Sequence, residues 1–406
     1  MPIDNPSKVI LSRLIYPEII EQKHSIKVLD TVKNLEWLLA HFKTKIRYNL
    51  MSRQREIEIP GYSIFNDDKE NAALHLIDYL ATLNEMPTTK LDAHLDVIAY
   101  QNCYHPIVEM LKRNPWDGVH RLSLFIKTLE AKSPELAEKI ITTWMVSAIA
   151  AAHSIDGFMN HGVLVLLGEQ NIGKTRWVKS LDPINCNAVK ESAFLDPTNK
   201  DSVLHLAKYW ICELGELDSI FSKSEIGRLK SFITTQADLV RAAYARKAAL
   251  IPRRTAYVAT VNDDKYLIDT TGNRRWWTIE VKSIDLNHQL DMIQVWAEAY
   301  NYWQSGHPTY LTQELQGLVN QNNSNHEPQD PFEEMLIANY DWSSDSRRLI
   351  TATQLLIELG YRSPTKSELN RISKILRRIT KKEPKKMRDG RFHEIPIHIN
   401  PPFTRV

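Results

Sequence analysis

One stretch of the chain, Val163 to Thr175, has the residue types and spacing to hold a phosphate. Gly168-Glu169-Gln170-Asn171-Ile172-Gly173-Lys174-Thr175 matches the pattern G-x-x-x-x-G-K-[ST]. Glycines let the backbone wrap an anion, with successive N–H groups pointing inward. The N-terminus of a following helix adds its partial positive charge. Lys174 would reach the β- and γ-phosphates of ATP, and the Thr175 hydroxyl would bind Mg²⁺. Val163-Leu164-Val165-Leu166-Leu167 reads as a buried strand before the loop, and Arg176-Trp177-Val178 can continue as a helix after it. That context favours nucleotide binding over a plain Gly-rich turn.

Hydrolysis needs a carboxylate at the end of an apolar strand, to orient Mg²⁺ and activate water. Trp210-Ile211-Cys212-Glu213 supplies one, and Glu216 follows three residues on. Metal orientation, with Thr175, and general base catalysis could be divided between them, in either order. A solvated charged turn is the alternative. A third element is a polar residue at a strand tip: Ala256-Tyr257-Val258-Ala259-Thr260-Val261 runs into Asn262, which is otherwise a common turn former. The fourth is Gly272-Asn273-Arg274-Arg275-Trp276-Trp277, whose paired arginines precede a strand and could reach a phosphate. In ring ATPases such an arginine acts on the neighbouring subunit's nucleotide. Stacking on Trp276 or pairing with an acid is the alternative.

Two further segments have the composition of a DNA contact. Asp238 to Lys247 carries Arg241, Tyr244, Arg246 and Lys247, followed by Arg253 and Arg254. Arginines neutralise backbone phosphates and a tyrosine offers bases a stacking face; a basic surface helix is the competing reading. Near the C-terminus, Ile350 to Leu359 reads as an amphipathic helix ended by Gly360. Ser363-Pro364-Thr365 opens a second, with Leu369, Ile372, Ile375 and Leu376 on one face and Arg371, Lys374, Arg377 and Arg378 on the other. Lys385, Lys386 and Arg388 lead into Asp389-Gly390, a hairpin signal, and then the alternation Ile395, Ile397. A basic helix followed by a basic hairpin is the pattern of a winged helix on duplex DNA. A basic helical cap for protein contacts is the other possibility.

These residues need elements to position them. Val163–Leu167, Tyr209–Cys212, Thr255–Thr260 and Trp276–Val281 are strand candidates, with helical segments between the first three, an order that suits a parallel α/β sheet. Upstream, Val119 to Ala152 reads as helical. Lys45–Leu50 and Glu56–Ile59 read as paired strands, and Asn71–Leu83 and Leu91–Tyr100 as helices. Gln321 to Pro328 is polar and reads as a linker. The expected division is 1–125, 126–320 and 331–406. Net charge is +2, from 51 basic and 49 acidic residues. From Asp341 onward there are 15 Lys/Arg and 7 Asp/Glu, so a basic tail joins an acidic body. Three scattered cysteines suit a reducing cytoplasm. The start Met1-Pro2-Ile3-Asp4-Asn5-Pro6 lacks the look of a signal peptide, and no apolar run is long enough for a membrane span.

The motif set Gly168–Thr175, Trp210 to Leu217, Asp238 to Arg246, Thr260-Val261-Asn262 and Gly272 to Trp277 resembles the virulence-associated protein E family, P-loop ATPases of phages and mobile elements. Asn102-Cys103-Tyr104-His105-Pro106 and Trp116-Asp117-Gly118-Val119-His120-Arg121-Leu122 are similar to that family's lead-in. Residues 95 to 285 carry the likeness. It implies relatives of superfamily III replicative helicases: an AAA+-like P-loop NTPase core, a mainly helical N-terminal domain and a C-terminal winged helix. It also implies a hexameric ring, ATP and Mg²⁺ at subunit interfaces, and translocation on single-stranded DNA. By position, Lys174 and Thr175 would bind nucleotide and Mg²⁺, Glu213 and Glu216 would fill the acidic motif, and Asn262 the sensor position. Arg275, or Arg274, would be the arginine finger, and Arg241, Tyr244, Arg246 and Lys247 would contact DNA. Residues 1–125 are short for a catalytic domain and show no metal-binding carboxylate set. A collar or the recruitment of a separate primase or other replication protein is expected instead. The expected function is an ATP-dependent DNA helicase or translocase in the cytoplasm of a bacterial host. The alternative is an origin-binding initiator or regulator that ATP switches; a protein remodeller is a third.

Overall fold

A computed structural model of the protein describes residues 14–62, 68–193, 195–196, 198–215, 223–240, 248–267, 273–327 and 330–397. It divides into two compact units, Met1–His326 and Glu327–Val406.

The first unit opens with a local hairpin, β1 (Ile19–Gln22) and β2 (Ser25–Val28). Helix α1 (Val32–His41) starts at Thr31, whose side chain accepts the Asn34 amide. Asn34 is buried and donates to Glu18 O and Leu29 O, so the hairpin is tied to the helix without an unpaired amide. β3 (Lys45–Asn49) and β4 (Gln54–Glu58) pair antiparallel where alternation placed two strands. α2 (Lys69–Leu83) and α3 (Leu91–Gln101) cover them, and β5 (Cys103–Tyr104) joins β3 in parallel. Leu35, Leu38, Ile77, Leu95 and Ala99 centre this cluster. α4 (Pro106–Arg113) and α5 (Leu122–Lys127) pack elsewhere: Ile107, Leu111, Leu122 and Phe125 belong to the main core.

The helical reading of 119–152 is interrupted. β6 (Leu129–Ala131) precedes α6 (Pro134–His153), the helix buried along most of its length. Three residues are too few to show a period of two, so Leu129 passed for a helical position. β7 (Val163–Leu167) is buried at every residue. α7 (Lys174–Lys179), β8 (Val189–Ala193), α8 (Lys200–Leu206), β9 (Ile211–Leu214) and α9 (Lys223–Ile233) follow. β10 (Ala237–Val240) and β11 (Ala249–Pro252) form a separate antiparallel ribbon. β12 (Ala256–Val261), β13 (Trp276–Ile284), α10 (Met292–Gln304) and α11 (Gln313–Ser324) complete the unit.

The main sheet has the order β6-β13-β7-β12-β9-β8. All pairings are parallel except β6 with β13. Both faces are covered, as a parallel sheet requires. Leu164 and Leu166 face the cluster of α6 and α10, while Val163, Val165 and Leu167 face Val203, Leu229 and Phe232. Strand β8, polar and at the sheet edge, gave no apolar signal. Gln321–Ser324, read as linker, is the last turn of α11, where Asn323 is 1% exposed and spends its amide on backbone carbonyls. No helix among the described residues is long and apolar enough to cross a membrane.

In the second unit α12 (Pro331–Asn339) leads to β14 (Arg347–Thr351), α13 (Ala352–Glu358), α14 (Lys366–Thr380) and the hairpin β15 (Lys385–Met387) and β16 (Gly390–Pro396). β16 is central, with β14 and β15 on either side. Thr351 with Gln354, and Thr365 with Glu368, make capping boxes that start the two helices. Ile350 thus lies in a strand, before the helix expected to contain it. Met387 pairs with Gly390, so the turn residues are Arg388 and Asp389, and Gly390 supplies a φ of 140° at the start of the return strand. Ile395 is buried but Ile397 is exposed, since β16 ends between them.

Candidate functional site

The loop between β7 and α7 owes its path to two glycines. Gly173 has φ +100°, and a Cβ on it would lie 2.6 Å from Leu286 Cδ1. A Cβ on Gly168 would lie 2.4 Å from Val281 O. At Gly168 a side chain would collide with backbone, and at Gly173 the positive φ, more than the movable Leu286 tip, calls for glycine.

Lys174 is 7% exposed and turns back across this loop. Its Nζ donates to Gly168 O (2.6 Å), Glu169 O (2.7 Å) and Asn262 Oδ1 (2.8 Å). Asn262 comes from the tip of β12, which pairs directly with β7 in the register Val261↔Leu167. β9 lies on the other side of β12, with Val258 opposite Glu213. The carboxylate expected past a strand end is therefore inside the strand: Glu213 is 0% exposed. Burial strips a carboxylate of several kcal/mol of hydration (order of magnitude) unless donors replace it. Three do: Thr175 Oγ1 at 2.6 Å, Thr260 Oγ1 at 2.9 Å and the Ser192 amide at 3.1 Å. Among the described residues the hydrogen-bond partners of Glu213 are thus hydroxyls and a backbone amide.

The donor set fits a hard cation. A hydroxyl and a carboxylate meet beside an anion-shaped loop, and Mg²⁺ characteristically takes one or two protein ligands, with phosphate oxygens and water for the rest. Among the described residues no group of three or more His, Cys, Asp or Glu could hold a metal by itself. A cavity of about 600 Å³ opens beside the loop, lined by Gly168, Glu169 and Asn262 together with Lys132, Glu280 and Lys282. That volume is within the usual range for small-ligand pockets. Chemically, the arrangement can hold a polyphosphate on Lys174 and the loop amides, with a cation between Thr175 and Glu213.

Thr260 is part of the motif ending in Asn262 but has no role of its own on sequence alone. Its signal was present: a hydroxyl in an otherwise apolar strand, two residues before Asn262. Gln170, Asn171 and Ile172 lie in the loop as expected, Asn171 with φ 67°. Glu216 lies outside the described residues, so the division of tasks with Glu213 stays as it was.

Arg274 and Arg275 are not beside this chain's own loop. They occupy a short 3-10 turn ahead of β13, and Trp276 pairs with Val163 at the start of β7. The loop begins after Leu167, four residue steps on, about 13 Å at the rise of a strand. The pair is thus at the opposite end of the sheet. Arg275 is partly buried, and burial followed by the Arg274 charge lowers its pKa.

Arg241, Tyr244, Arg246 and Lys247 lie outside the described residues; the strands on either side of them, β10 and β11, pair from Val240↔Ala249. Asp238 is in a strand, which removes the helix alternative at that end. Arg253 and Arg254 are not surface charges. Arg253 is 3% exposed, stacks on Phe232 and pairs with Asp238, and Arg254 donates to Ser154 O and Ile155 O.

On α14 the expected DNA-facing set splits. Arg371 pairs with Asp330 at 2.6 Å and Arg378 pairs with Glu333, both acids from the start of α12. Lys374 has no ion pair among the described residues and is exposed. Lys385, Lys386 and Arg388 are exposed on the hairpin, Lys385 with Glu394 at 3.9 Å.

No curated protein matches the chain. Solved structures similar to it include the apo C-terminal region of NrS-1, residues 305–718, at 14% identity, covering 89% of this chain and 98% of that one with a TM-score of 0.45. Two further structures of that region have 13% and 11% identity with the same coverages, at TM-scores of 0.45 and 0.43. The model of the virulence-associated protein E-like domain matches residues 111–328, more than half of the chain. The protein therefore belongs to the virulence-associated protein E-like family.

Proposed function

We propose that this protein is an ATP-hydrolysing DNA motor, a helicase or translocase, serving the replication of a phage or mobile element. The observation that carries the reading is the meeting of Lys174, Thr175, Glu213 and Asn262 at neighbouring strands. Loop amides and Lys174 bind the phosphates of ATP, Mg²⁺ is held by Thr175 and Glu213, and Asn262 marks the position of the γ-phosphate. Bound Mg²⁺ supplies charge neutralisation for the transferred phosphoryl group. Glu213, or Glu216, takes the proton of the attacking water. The placement of Arg274–Arg275 at the far end of the sheet supports a head-to-tail association, in which one copy's arginines serve the next copy's nucleotide. Heterologous contacts of that kind generate a ring when the rotation between copies closes, and a ring is the assembly proposed here. The second unit, with two helices followed by a basic hairpin, supports a winged helix on duplex DNA.

The decisive measurement is ATP hydrolysis by the full chain with and without single-stranded DNA, beside Lys174→Ala. Hydrolysis that DNA stimulates and Lys174→Ala abolishes is expected. Hydrolysis indifferent to DNA would discard the motor, and full activity in Lys174→Ala would discard the site.

A further inference from the structure

A buried hydrogen-bonded cluster holds the Arg274–Arg275 turn at one end of the main sheet and ends at Tyr266, one short exposed segment after Asn262. At the other end of the sheet Asn262 accepts from Lys174. Four residues on, the hydroxyl of buried Tyr266 lies 2.6 Å from Thr278 Oγ1, in β13. Thr278 has one hydroxyl proton, and it goes to Asn323 Oδ1 at 2.6 Å. Tyr266 must therefore donate to Thr278. Asn323 Nδ2 then directs its two N–H bonds at Asn273 O (3.0 Å) and Trp276 O (2.8 Å). Those carbonyls stand on either side of Arg274 and Arg275 in the chain. The two acceptors leave no choice in how the Asn323 amide is turned. The end of α11 also grips the segment after Asn262: Lys265 Nζ donates to Asn325 O at 2.7 Å, and the Leu267 amide to His326 O at 3.3 Å.

We propose that Asn323 is a positioning residue for the Arg274–Arg275 turn, and that Thr278 and Tyr266 link that turn to the segment following Asn262. The inference rests on the reading of these arginines as acting on a neighbouring copy's nucleotide. It adds the residue that aims them, and a route by which a chain's own nucleotide site is connected to the arginines it presents to the next. Asn323 touches no nucleotide in this scheme; it acts through the turn. Buried, fully paired amides of this kind hold backbone in one arrangement because any other leaves donors or carbonyls unpaired.

The test uses the full chain and mixing of variants. Asn323→Asp keeps the size of the side chain and replaces two donors by an acceptor facing two carbonyls. Alone it is expected to hydrolyse ATP at least about tenfold more slowly, short of the roughly 10³–10⁵-fold that an arginine finger contributes because the arginines are misaimed and not removed, with nucleotide affinity unchanged. Lys174→Ala has a dead site and sound arginines. Mixed with it, Asn323→Asp should regain activity, because its intact sites are then served by correctly held arginines. A merely structural defect would not respond to mixing. If Arg274→Ala/Arg275→Ala protein is restored by Lys174→Ala and Asn323→Asp is not, the role of Asn323 is overturned and the arginine reading stands. If neither is restored, the arginine reading falls and takes the inference with it. Thr278→Ser, which keeps the hydroxyl, should hydrolyse ATP at the wild-type rate, and Thr278→Val should not. If Asn323→Asp does not fold, Tyr266→Phe goes through the same mixing. A smaller loss with the same restoration is expected, and an unchanged rate would overturn the link to Tyr266.

Discussion

His105 sits at the N-terminus of α4, and both its ring nitrogens are buried without a hydrogen-bond partner among the described residues. Burial, then the nearby Arg254 and His153 charges, lowers its pKa from 6.5 to about 3. Between those values an unfolded chain takes up a proton that the folded chain refuses. Stability is therefore full above pH 6.5 and falls as pH drops through the window, by up to about 1.4 kcal/mol per pH unit. Urea midpoints at pH 7.5 and 5.0 should show this drop in the wild type and a shallower one in His105→Leu. Equal drops would remove His105 as the cause. The same scale explains how much of the site was legible. Lys174 and Thr175 were readable because eight consecutive residues carry the loop's chemistry. Thr260 was not, because a lone hydroxyl in an apolar strand has meaning only once Glu213 of another strand is known to lie beside it.

At the scale of elements, α14 shows why a charged helix face is a poor guide to a nucleic-acid contact. Counted from residue 341 the tail carries a net +8, but the unit begins at Glu327, and Glu327, Asp330, Glu333 and Glu334 reduce it to +4. Asp330 and Glu333 engage Arg371 and Arg378. Such half-exposed pairs contribute well under about 1 kcal/mol, yet they orient those side chains toward α12. Lys374, Lys386 and Arg388 are then the groups left to meet phosphates. Replacing any of the three by alanine should weaken duplex binding and lower the dependence of log affinity on log salt by about 1. Arg371→Ala should leave that slope unchanged; a slope reduced as much as in Lys374→Ala would return Arg371 to the DNA-facing set. The β10–β11 ribbon makes a similar point. Asp238 and Arg253 looked like parts of one basic segment, and they are an ion pair, Arg253 buried and Asp238 partly so, within the β10–β11 hairpin.

At the scale of the molecule, each unit has its own core. In the second, Leu336, Leu355, Leu356, Ile372, Leu376 and Ile395 are fully buried against one another. Residues 327–406 expressed alone are therefore expected to unfold cooperatively and to retain duplex binding with a steep salt dependence. A non-cooperative melt would show that this cluster is insufficient by itself. In the first unit the distribution of groups has consequences beyond one chain. Lys174, Thr175 and Glu213 gather at one end of the sheet and Arg274–Arg275 at the other, so no single copy can bring both sets to one phosphate.

The sequence alone determined what depends on neighbours along the chain. The loop, the strand before it and the apolar faces of α2, α3 and α14 all follow from short-range spacing, because backbone geometry repeats every two or every 3.6 residues. Only the tertiary structure decided which element lies beside which. Strand β12 inserts between β7 and β9, so Asn262 reaches Lys174 from 88 residues away. Asn323, in a stretch polar enough to pass for a linker, turns out to be buried. Periodicity tells which face of an element avoids water; it carries no information on the partner of a buried amide or a buried charge. That partner is set through space, by packing that satisfies every polar group at once.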